Sequence, residues 1–404
     1  MTSAAAELDA TGFLTGIYLD ASATTPPRPE VIERIRQVQL TAWGNPSSLH
    51  QQGLAAAEVM ERSRQTIARI LQAKSDQLVF TSGATESIHL ALLGIAMARP
   101  VGRLVISAVE HPAVNAVAEQ LSRQGWEVVR WPVDDHGRVK LSLIDELLAA
   151  PTQLVSLIWG QSEIGTLQPI HAIGAACRRE GITFHTDATQ VLSQGTINWR
   201  ELPVDLLSAS AHKFQGPRGT GLLLLRDHLV DSIQPLQGGG GQERGLRAGT
   251  EAVALIAGMA EALNRLSPVT PLDATTSIHP QHIKAQRDHL LHSLKSLQGL
   301  RFTGDPINRL PHHISMLVST AAGLPLSGRA VVRELSRQGV SASSGSACHS
   351  GQSADSEVLK ALGVAPAWRQ SGLRFSLGPW LSSDQLSLVP DCLQRALEAA
   401  GASS

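Results

Sequence analysis

The chain has 404 residues and a mass of 42.9 kDa, and 34 Lys and Arg against 35 Asp and Glu give a formal net charge of −1. A hydrophobic fraction of 43% with 17% charged residues is ordinary for a globular protein and excludes an intrinsically disordered chain. The balanced charge argues against a dedicated nucleic-acid-binding protein, which needs a basic excess. The length predicts about two domains.

The three cysteines, Cys177, Cys348 and Cys392, stand far apart in the chain. No Cys-x-x-Cys pair is present, so neither a zinc nor a redox motif is predicted, and an odd number argues against a disulfide framework. The N-terminal segment lacks the basic and apolar regions of a signal peptide, and no apolar run approaches the roughly 18 residues of a membrane span. We therefore expect a cytoplasmic protein with no membrane association.

Short apolar runs alternate with amphipathic segments along the first two thirds of the chain. Strands are predicted at residues 78–80 and 103–108, and helices follow them at 86–98 and 113–124. Further apolar runs flank a helical stretch near 170–180. This alternation predicts a mostly parallel sheet covered by helices on both faces, with ligands bound at the carboxyl ends of its strands.

The alternation ends near Ser267, where a segment rich in Pro, Ser and Thr follows. Beyond this segment we predict a helix around residues 282–298 and then mixed strands and helices. We therefore expect a large α/β domain over residues 30–267. Residues 1–29 together with 268–404 would form a smaller α+β domain.

Lys213 is predicted on a short connection between two buried strands, in the segment DLLSASAHKFQGPRGTGLLLL. Taken alone, Lys213 is most simply explained as an ordinary lysine at the end of a strand. Upstream, however, Asp187 ends an apolar run and Gln190 follows it, and a buried carboxylate is costly unless a cation meets it. The protonated ring nitrogen of pyridoxal phosphate is such a cation, and a Schiff base with its aldehyde removes the cost of deprotonating a free lysine.

A phosphate site is predicted where FTSGATES follows a strand and opens a helix. Gly83 would allow close backbone approach, and the N–H groups of Ala84 and Thr85 would face an anion. Ser210 and His212, beside the lysine, would complete the site. No G-x-x-x-x-G-K-[ST] motif occurs, so a P-loop is excluded.

His111 follows the strand predicted at residues 103–108. Taken alone, a histidine at this place is simply a core residue. Next to a bound cofactor, its flat ring at the carboxyl end of a strand would stack on the cofactor ring and take part in proton transfer.

Nine short motifs occur in order across nearly the whole chain. They are YLDASATTPP, WGNPSSLH, VFTSGATES, EHPAV, HTDATQ, SASAHKFQGPRGTG, GGGGQERGLRAGT, SASSGSACHS and RFSLG. With them the chain resembles the group I, NifS/IscS-like cysteine desulfurases of the class V aminotransferase family. The resemblance implies fold type I of the pyridoxal-phosphate-dependent transferases, with a mostly parallel seven-stranded sheet between helices and a smaller α+β domain. It also implies a homodimer with active sites at the interface.

The resemblance gives roles to the candidate residues. Lys213 would form the Schiff base with pyridoxal 5′-phosphate, Asp187 would pair with the ring nitrogen and Gln190 would bond the ring oxygen. His111 would stack on the ring. The phosphate would be held by Ala84, Thr85, Ser210 and His212 of one subunit and by Thr250 of the other.

The substrate carboxylate would be bound by Arg374 and Asn45, since a planar guanidinium suits bidentate contact. The chain departs from the family pattern at residues 161–165, QSEIG, where Asn-Asn-Glu-Ile-Gly is common. The second Asn normally donates to the phenolic oxygen of the cofactor, and Ser162 has a shorter reach and a single donor. Gln190 would carry more of that contact, and the absorbance maximum and pKa of the Schiff base are expected to change.

Cys348 lies in SASSGSACHSG, a run of small polar residues typical of a loop. Cys177 and Cys392, in contrast, have the surroundings of buried cysteines. The resemblance makes the Cys348 thiolate the nucleophile that takes sulfur from L-cysteine, which leaves a persulfide and L-alanine. Lys213 would remove the Cα proton, and His111 is a candidate proton donor.

The persulfide would pass to a sulfur-acceptor or cluster-scaffold protein, for iron–sulfur cluster assembly or other thio-cofactors. Cys348 is also a candidate transient ligand of an iron–sulfur cluster, and no other metal site is predicted. Two alternatives stay open. One is a cysteine or cystine C–S lyase or selenocysteine lyase, which would not need a loop cysteine, and the other is a catalytically degenerate sulfur-transfer scaffold, supported by Ser162 alone.

Overall fold

The computed structural model describes residues 16–266, 281–345 and 355–402. The strands are β1 (Ile17–Tyr18), β2 (Leu78–Thr81), β3 (Arg103–Ser107), β4 (Glu127–Trp131), β5 (Thr152–Ile158), β6 (Thr183–Asp187), β7 (Leu206–Ser210), β8 (Gly221–Leu225), β9 (Leu300–Phe302), β10 (His313–Val318), β11 (Val340–Ser341) and β12 (Gly372–Ser376). The α-helices are α1 (Pro29–Thr41), α2 (Gln51–Leu71), α3 (Ala84–Met97), α4 (Pro112–Arg123), α5 (Ile144–Leu148), α6 (Ile170–Glu180), α7 (Asp227–Val230), α8 (Val253–Asn264), α9 (Gln281–Leu294), α10 (Gly328–Arg337), α11 (Glu357–Ala361), α12 (Ser383–Ser387) and α13 (Val389–Ala402).

One seven-stranded sheet has the order β2-β8-β7-β6-β5-β3-β4. The strands from β7 to β4 in this order pair in parallel, whereas β8 runs antiparallel to both of its neighbours. The mostly parallel sheet that the sequence predicts is therefore confirmed. Because β8 reverses direction, the connection from Ser210 to Gly221, which contains Lys213, lies at the carboxyl end of β7.

The large sheet is buried on both faces, because alternate side chains along each strand enter different cores. On β3, Val105 packs into the core that contains residues of α1, α2, α6 and α8. Its neighbours Leu104 and Ile106 enter the core that contains residues of α3 and α4. Helices thus cover both faces, as the alternation of apolar runs predicts.

The helix boundaries shift from the predicted ones for local reasons. Helix α4 begins at Pro112, one residue before the predicted start, because proline is favoured in the first turn and His111 caps the helix. Helix α9 ends at Leu294 rather than near residue 298. The chain then turns through Gly299, whose φ of +81° suits glycine and where a Cβ would lie 2.3 Å from the Ser319 carbonyl oxygen.

The N-terminal strand packs against the C-terminal third of the chain. Strand β1 pairs in parallel with β11, and β12, β10 and β9 form a separate antiparallel sheet in that order. Ile17 and Leu19 share a core with residues of α9, α10 and α13. Leu317 and Leu359, however, belong to the core of the large sheet. The domain boundaries near residues 30 and 267 stay a prediction.

Candidate active site

The candidate catalytic residues meet at one edge of the large sheet. Asp187 is the last residue of β6, Ser210 is the last residue of β7, and His212 and Lys213 form the 3₁₀ turn that follows β7. His111 stands at the start of α4, just after β3. Because the carboxyl ends of parallel strands lie at the same edge, this edge is where the fold places a ligand.

The backbone around Ser22 holds the amine of Lys213. The Nζ atom donates to the carbonyl oxygens of Ser22 at 2.6 Å and Ala23 at 2.8 Å. The Nε2 atom of Gln190 donates to the same Ser22 oxygen at 2.9 Å, and the Ser22 N–H donates to Ser376 Oγ at 2.8 Å. Sequence reasoning missed Ser22, although the motif YLDASATTPP contains it.

Asp187 and Gln190 present buried acceptor atoms at this edge. Each residue is 4% exposed. The Oδ1 atom of Asp187 accepts from the Thr189 N–H at 2.9 Å, and the Oε1 atom of Gln190 is buried with no hydrogen-bond partner among the described residues. Buried acceptors of this kind are costly unless a donor meets them, so both side chains fit a ligand that brings N–H or protonated groups.

His111 is arranged as a neutral donor. Its Nδ1 atom accepts from the Ala113 N–H at 3.1 Å, so the neutral ring carries its proton on Nε2. Burial lowers the pKa of His111 below its ordinary value, Asp187 partly offsets this, and the positive charge of Lys213 lowers it further. At pH 7 the ring is therefore uncharged, with one proton to give.

Glu110, which precedes His111 in the chain, is a second buried carboxyl group besides Asp187. Sequence reasoning missed it, although it stands in the motif EHPAV. It is 4% exposed, and its Oε1 atom accepts from Ser107 Oγ at 2.5 Å and from the Ile158 N–H at 2.9 Å. Burial raises its pKa to about 8, with a smaller contribution from Asp187. The side chain is therefore mainly neutral at pH 7.

The predicted phosphate residues come together at the start of α3. A Cβ atom on Gly83 would lie 3.5 Å from Ser210 Oγ, and one on Gly221 would lie 2.6 Å from Gly83 Cα. The two glycines thus bring the N-terminus of the helix against the end of β7. The N–H groups of Ala84 and Thr85 are in the first turn, where no partner exists within a helix.

His212 follows Ser210 by two residues, in the 3₁₀ turn after β7, and its ring is neutral. Its Nδ1 atom lies 3.0 Å from Thr24 Oγ1, and its carbonyl oxygen accepts from the N–H and the hydroxyl of Thr25. Burial lowers its pKa to about 4, and the charges of Lys213 and Arg218 add to the effect. His212 therefore adds hydrogen-bonding capacity to the site without adding charge at pH 7.

Arg374 on β12 is buried and is held from two sides. Its Nη1 atom donates to the Ser162 carbonyl oxygen at 2.8 Å, and its Nη2 atom pairs with the Asp20 carboxylate at 2.7 Å. Its Nε atom has no hydrogen-bond partner among the described residues. Sequence reasoning missed Asp20, which is separated from Arg374 by 354 positions in the chain.

Gln161, the first residue that departs from the family pattern, shapes the turn that carries Ser162. Its Oε1 atom accepts from the N–H groups of Glu163 at 2.5 Å and Ile164 at 3.1 Å. Its Nε2 atom donates to the Val109 carbonyl oxygen at 3.1 Å. The longer amide thus ties this turn to the chain just before the Glu110–His111 pair.

Asn45 lies between α1 and α2, and Thr250 lies just before α8. Both are exposed, and the Asn45 Oδ1 atom accepts from the Ser47 N–H at 2.9 Å. Cys348 lies outside the described residues.

The described residues contain neither a cluster of metal ligands nor a membrane-spanning helix. No group of three or more His, Cys, Asp and Glu side chains is placed to hold a metal ion in the part of the chain that the structure describes. Among the helices of that part, none combines the length and the apolar composition that crossing a membrane requires.

Comparison with known proteins first identifies the class of protein to which the chain belongs. The family profile described as Aminotransferase class-V matches residues 17–389. A solved NifS-like protein superposes with a TM-score of 0.84 at 30% identity, covering 96% of this chain and 100% of its own. A structure titled SspA in complex with cysteine superposes with a TM-score of 0.77, also at 30% identity, covering 91% of this chain and 100% of its own.

Comparison with curated proteins points to a more specific group within this class. The cysteine desulfurase IscS of Dictyoglomus turgidum is 36% identical over 385 residues, which is 95% of this chain and 94% of that protein. The mitochondrial cysteine desulfurase of Saccharomyces cerevisiae is 35% identical over 383 residues, which is 94% of this chain and 74% of that protein. The chain belongs to the class-V aminotransferase family and, within it, to the cysteine desulfurases.

Proposed function

We propose that this protein uses pyridoxal 5′-phosphate to convert L-cysteine to L-alanine and keeps the sulfur as a persulfide on Cys348. The observation that carries the proposal is the meeting of Lys213, Asp187 and His111 at the carboxyl edge of the large sheet. A lysine, a buried carboxylate and a neutral histidine at one ligand-binding edge are the groups that this chemistry needs.

The residues present fit the cofactor. The buried carboxylate of Asp187 suits a protonated ring nitrogen, and the unpartnered Gln190 Oε1 shows that this edge has unmet hydrogen-bonding capacity. The first turn of α3, with Ser210 beside it, suits the phosphate, and His212 is proposed to add a hydrogen bond. Bound there, pyridoxal phosphate supplies an aldehyde for Lys213 and an electron-withdrawing ring.

Arg374 is proposed to bind the carboxylate of L-cysteine. The guanidinium is buried and prealigned by Asp20 and the Ser162 carbonyl oxygen, so little side-chain freedom is lost when an anion binds. The solved relative whose title names bound cysteine supports this substrate.

The proton transfers are assigned to Lys213 and His111. The Lys213 amine is proposed to remove the Cα proton of L-cysteine and afterwards to rest against the Ser22 and Ala23 carbonyl oxygens, which stabilise its protonated form. His111, neutral with its proton on Nε2, is proposed to supply a proton to the product.

The sulfur transfer is assigned to Cys348. Its thiolate attacks the sulfur of L-cysteine, so that an S–S bond forms as the C–S bond breaks. The carbon that loses sulfur gains a proton and becomes the methyl group of L-alanine, and the persulfide holds the oxidising equivalent. A protein acceptor or cluster scaffold is proposed to receive the sulfur for iron–sulfur cluster assembly.

A homodimer in the cytoplasm is part of the proposal. Trp43 and Leu49, on either side of Asn45, have exposed fractions of 68% and 90%, and exposed apolar side chains of this size favour a subunit contact. Thr250 and Asn45, which are exposed, would then serve the partner's site. Sedimentation is expected to give a mass of about twice 42.9 kDa, and a monomer at all concentrations would contradict this.

The central test measures alanine and sulfide formed from L-cysteine, with and without a reductant. The parent should release both in equal amounts when reductant is present, and borohydride reduction should add a pyridoxyl group at Lys213. Lys213→Ala and Cys348→Ala should each lose at least about 1,000-fold in rate, since each removes a group that forms a covalent bond in the reaction.

Cys392→Ala is the matched control. Cys392 is buried in the core that contains residues of β10, β12 and α13, and its replacement should not affect the chemistry. Unchanged alanine formation by Cys348→Ala would reject desulfuration. A parent protein that is not modified at Lys213 after borohydride treatment would reject the cofactor and would favour a sulfur-transfer scaffold.

A further inference from the structure

Glu163 occupies a place that the proposed chemistry does not use. It lies in the turn that carries Ser162, and its Oε1 atom accepts a hydrogen bond from the Ser356 hydroxyl. A Cβ atom on Gly345 would lie 3.0 Å from Glu163 Cγ and 3.2 Å from Oε1. Gly345 and Ser356 stand on either side of Cys348 in the sequence, so one side chain contacts both flanks.

The described residues on both sides of Cys348 are hydrogen-bonded to a helix or a strand. Ser356 is 3% exposed and caps α11, with its Oγ atom accepting from the Leu359 N–H at 3.0 Å. On the other side, Ser343 exchanges backbone hydrogen bonds with Arg374 at 2.7 and 3.2 Å. The contacts of Glu163 therefore connect three segments, namely the one that pairs with Arg374 in the middle of β12, the start of α11 and the Ser162 turn.

The surroundings of Glu163 also connect it to the substrate residue. Burial raises the pKa of its carboxyl group, while the Ser356 hydroxyl and the charge of Arg374 oppose the rise. Arg374 in turn donates to the carbonyl oxygen of Ser162, the residue that precedes Glu163. The turn thus lies between the guanidinium that is proposed to bind substrate and the two flanks of Cys348.

We propose that Glu163 is a positioning residue for sulfur transfer, because it contacts both Gly345 and Ser356, the described residues on either side of the segment that contains Cys348. The inference rests on the proposed function, because it concerns the step in which Cys348 attacks. Glycine at 345 is required for this arrangement, since its φ is +72° and a Cβ there would press on the Glu163 side chain.

The experiment compares Glu163→Ala, Glu163→Gln and the matched control Glu357→Ala. Glu357 begins α11 next to Ser356, but its side chain is exposed, and among the described residues its ion pair is with Lys360 on the same helix. Initial rates are measured with L-cysteine and with 3-chloro-L-alanine, whose chloride leaves without a thiol nucleophile. A third measurement, on protein without substrate or cofactor, is the rate at which iodoacetamide alkylates Cys348, followed by peptide mass.

For Glu163→Ala, kcat with L-cysteine should fall about 10- to 100-fold, because small misplacements of a reacting group cost about this much. Its KM for L-cysteine and its turnover of 3-chloro-L-alanine should stay within about twofold of the parent, and the alkylation rate of Cys348 should change. Glu163→Gln should recover most of kcat, because its amide oxygen still accepts from Ser356. Glu357→Ala should match the parent.

An equal loss with both substrates would overturn the inference, since it would place the effect at the cofactor or at Arg374. So would unchanged kcat and alkylation rates in Glu163→Ala. If that variant does not fold, Ser356→Ala, which removes the same hydrogen bond, must show the same split between substrates. A parent protein that forms no alanine from L-cysteine would reject the proposed function, while the alkylation comparison would still test the role of Glu163.

Discussion

Arg374 illustrates how single residues are set in this site. The Ser162 carbonyl oxygen and the Asp20 carboxylate each accept a hydrogen bond from one of its terminal nitrogens. The side chain is 5% exposed, so the charge is held in a buried position by partners from distant parts of the chain. A buried guanidinium of this kind binds a carboxylate more strongly than an exposed one, because water competes less.

Replacing Arg374 with lysine should raise KM for L-cysteine by roughly 10- to 100-fold, because a single ammonium group cannot keep both protein contacts and also bind a carboxylate through two bonds. Steady-state kinetics would measure the change. Arg301→Lys is the control, since Arg301 is exposed on β9. An unchanged KM in Arg374→Lys would remove this residue from substrate binding.

At the scale of elements, the site depends on how closely the start of α3 approaches the end of β7. That approach needs Gly221 at the beginning of β8, where a Cβ atom would lie 2.6 Å from both Gly83 Cα and the Ala209 carbonyl oxygen. Backbone atoms on both sides leave no room for relaxation. The strand pair and the helix end must therefore separate when a methyl group is added.

Gly221→Ala should lower the free energy of unfolding by about 1–3 kcal/mol, the usual cost of overpacking, and should weaken pyridoxal phosphate binding. Thermal unfolding and a fluorescence titration with the cofactor would measure the two effects. Gly238→Ala serves as the control, because a Cβ atom there meets no atom within 4 Å. Normal cofactor affinity in Gly221→Ala would show that the close approach does not matter for the phosphate.

At the scale of the whole molecule, three buried histidines make stability depend on pH. His185, His312 and His313 are at most 1% exposed. Burial lowers the pKa of His185 and of His312 to about 3 and lowers that of His313 well below its ordinary value. The unfolded chain, with ordinary pKa values near 6.5, therefore binds more protons below that pH, so the free energy of unfolding falls as the pH drops from about 6.5 toward 3.

His185→Gln should reduce this slope by about 1.4 kcal/mol per pH unit, because one proton less is taken up on unfolding. His185 lies between the Ser156 and Ser208 hydroxyls at 2.8 and 2.9 Å, which an amide side chain can also bond. Urea unfolding at several pH values would measure the slope. His228→Gln, at an exposed histidine, should leave it unchanged, and an equal slope in parent and His185→Gln would contradict the argument.

The residues found from sequence share one property, which is that their chemistry is visible in a short stretch of chain. Lys213, Asp187 and His111 each follow an apolar run, and a parallel sheet places the ends of such runs together. The order of the strands, in contrast, was not predicted, because periodicity shows where a strand is and not which neighbour it pairs with.

Local composition and spacing by themselves determined the α/β fold class, the candidate lysine, aspartate and histidine, and the helix whose start is predicted to bind phosphate. Only the tertiary structure showed the contacts of Asp20, Ser22 and Glu163, whose partners lie 354, 191 and 193 positions away. The physical reason is that the burial of a polar side chain and its hydrogen-bond partners decide what it does. Both depend on segments that are distant in the chain.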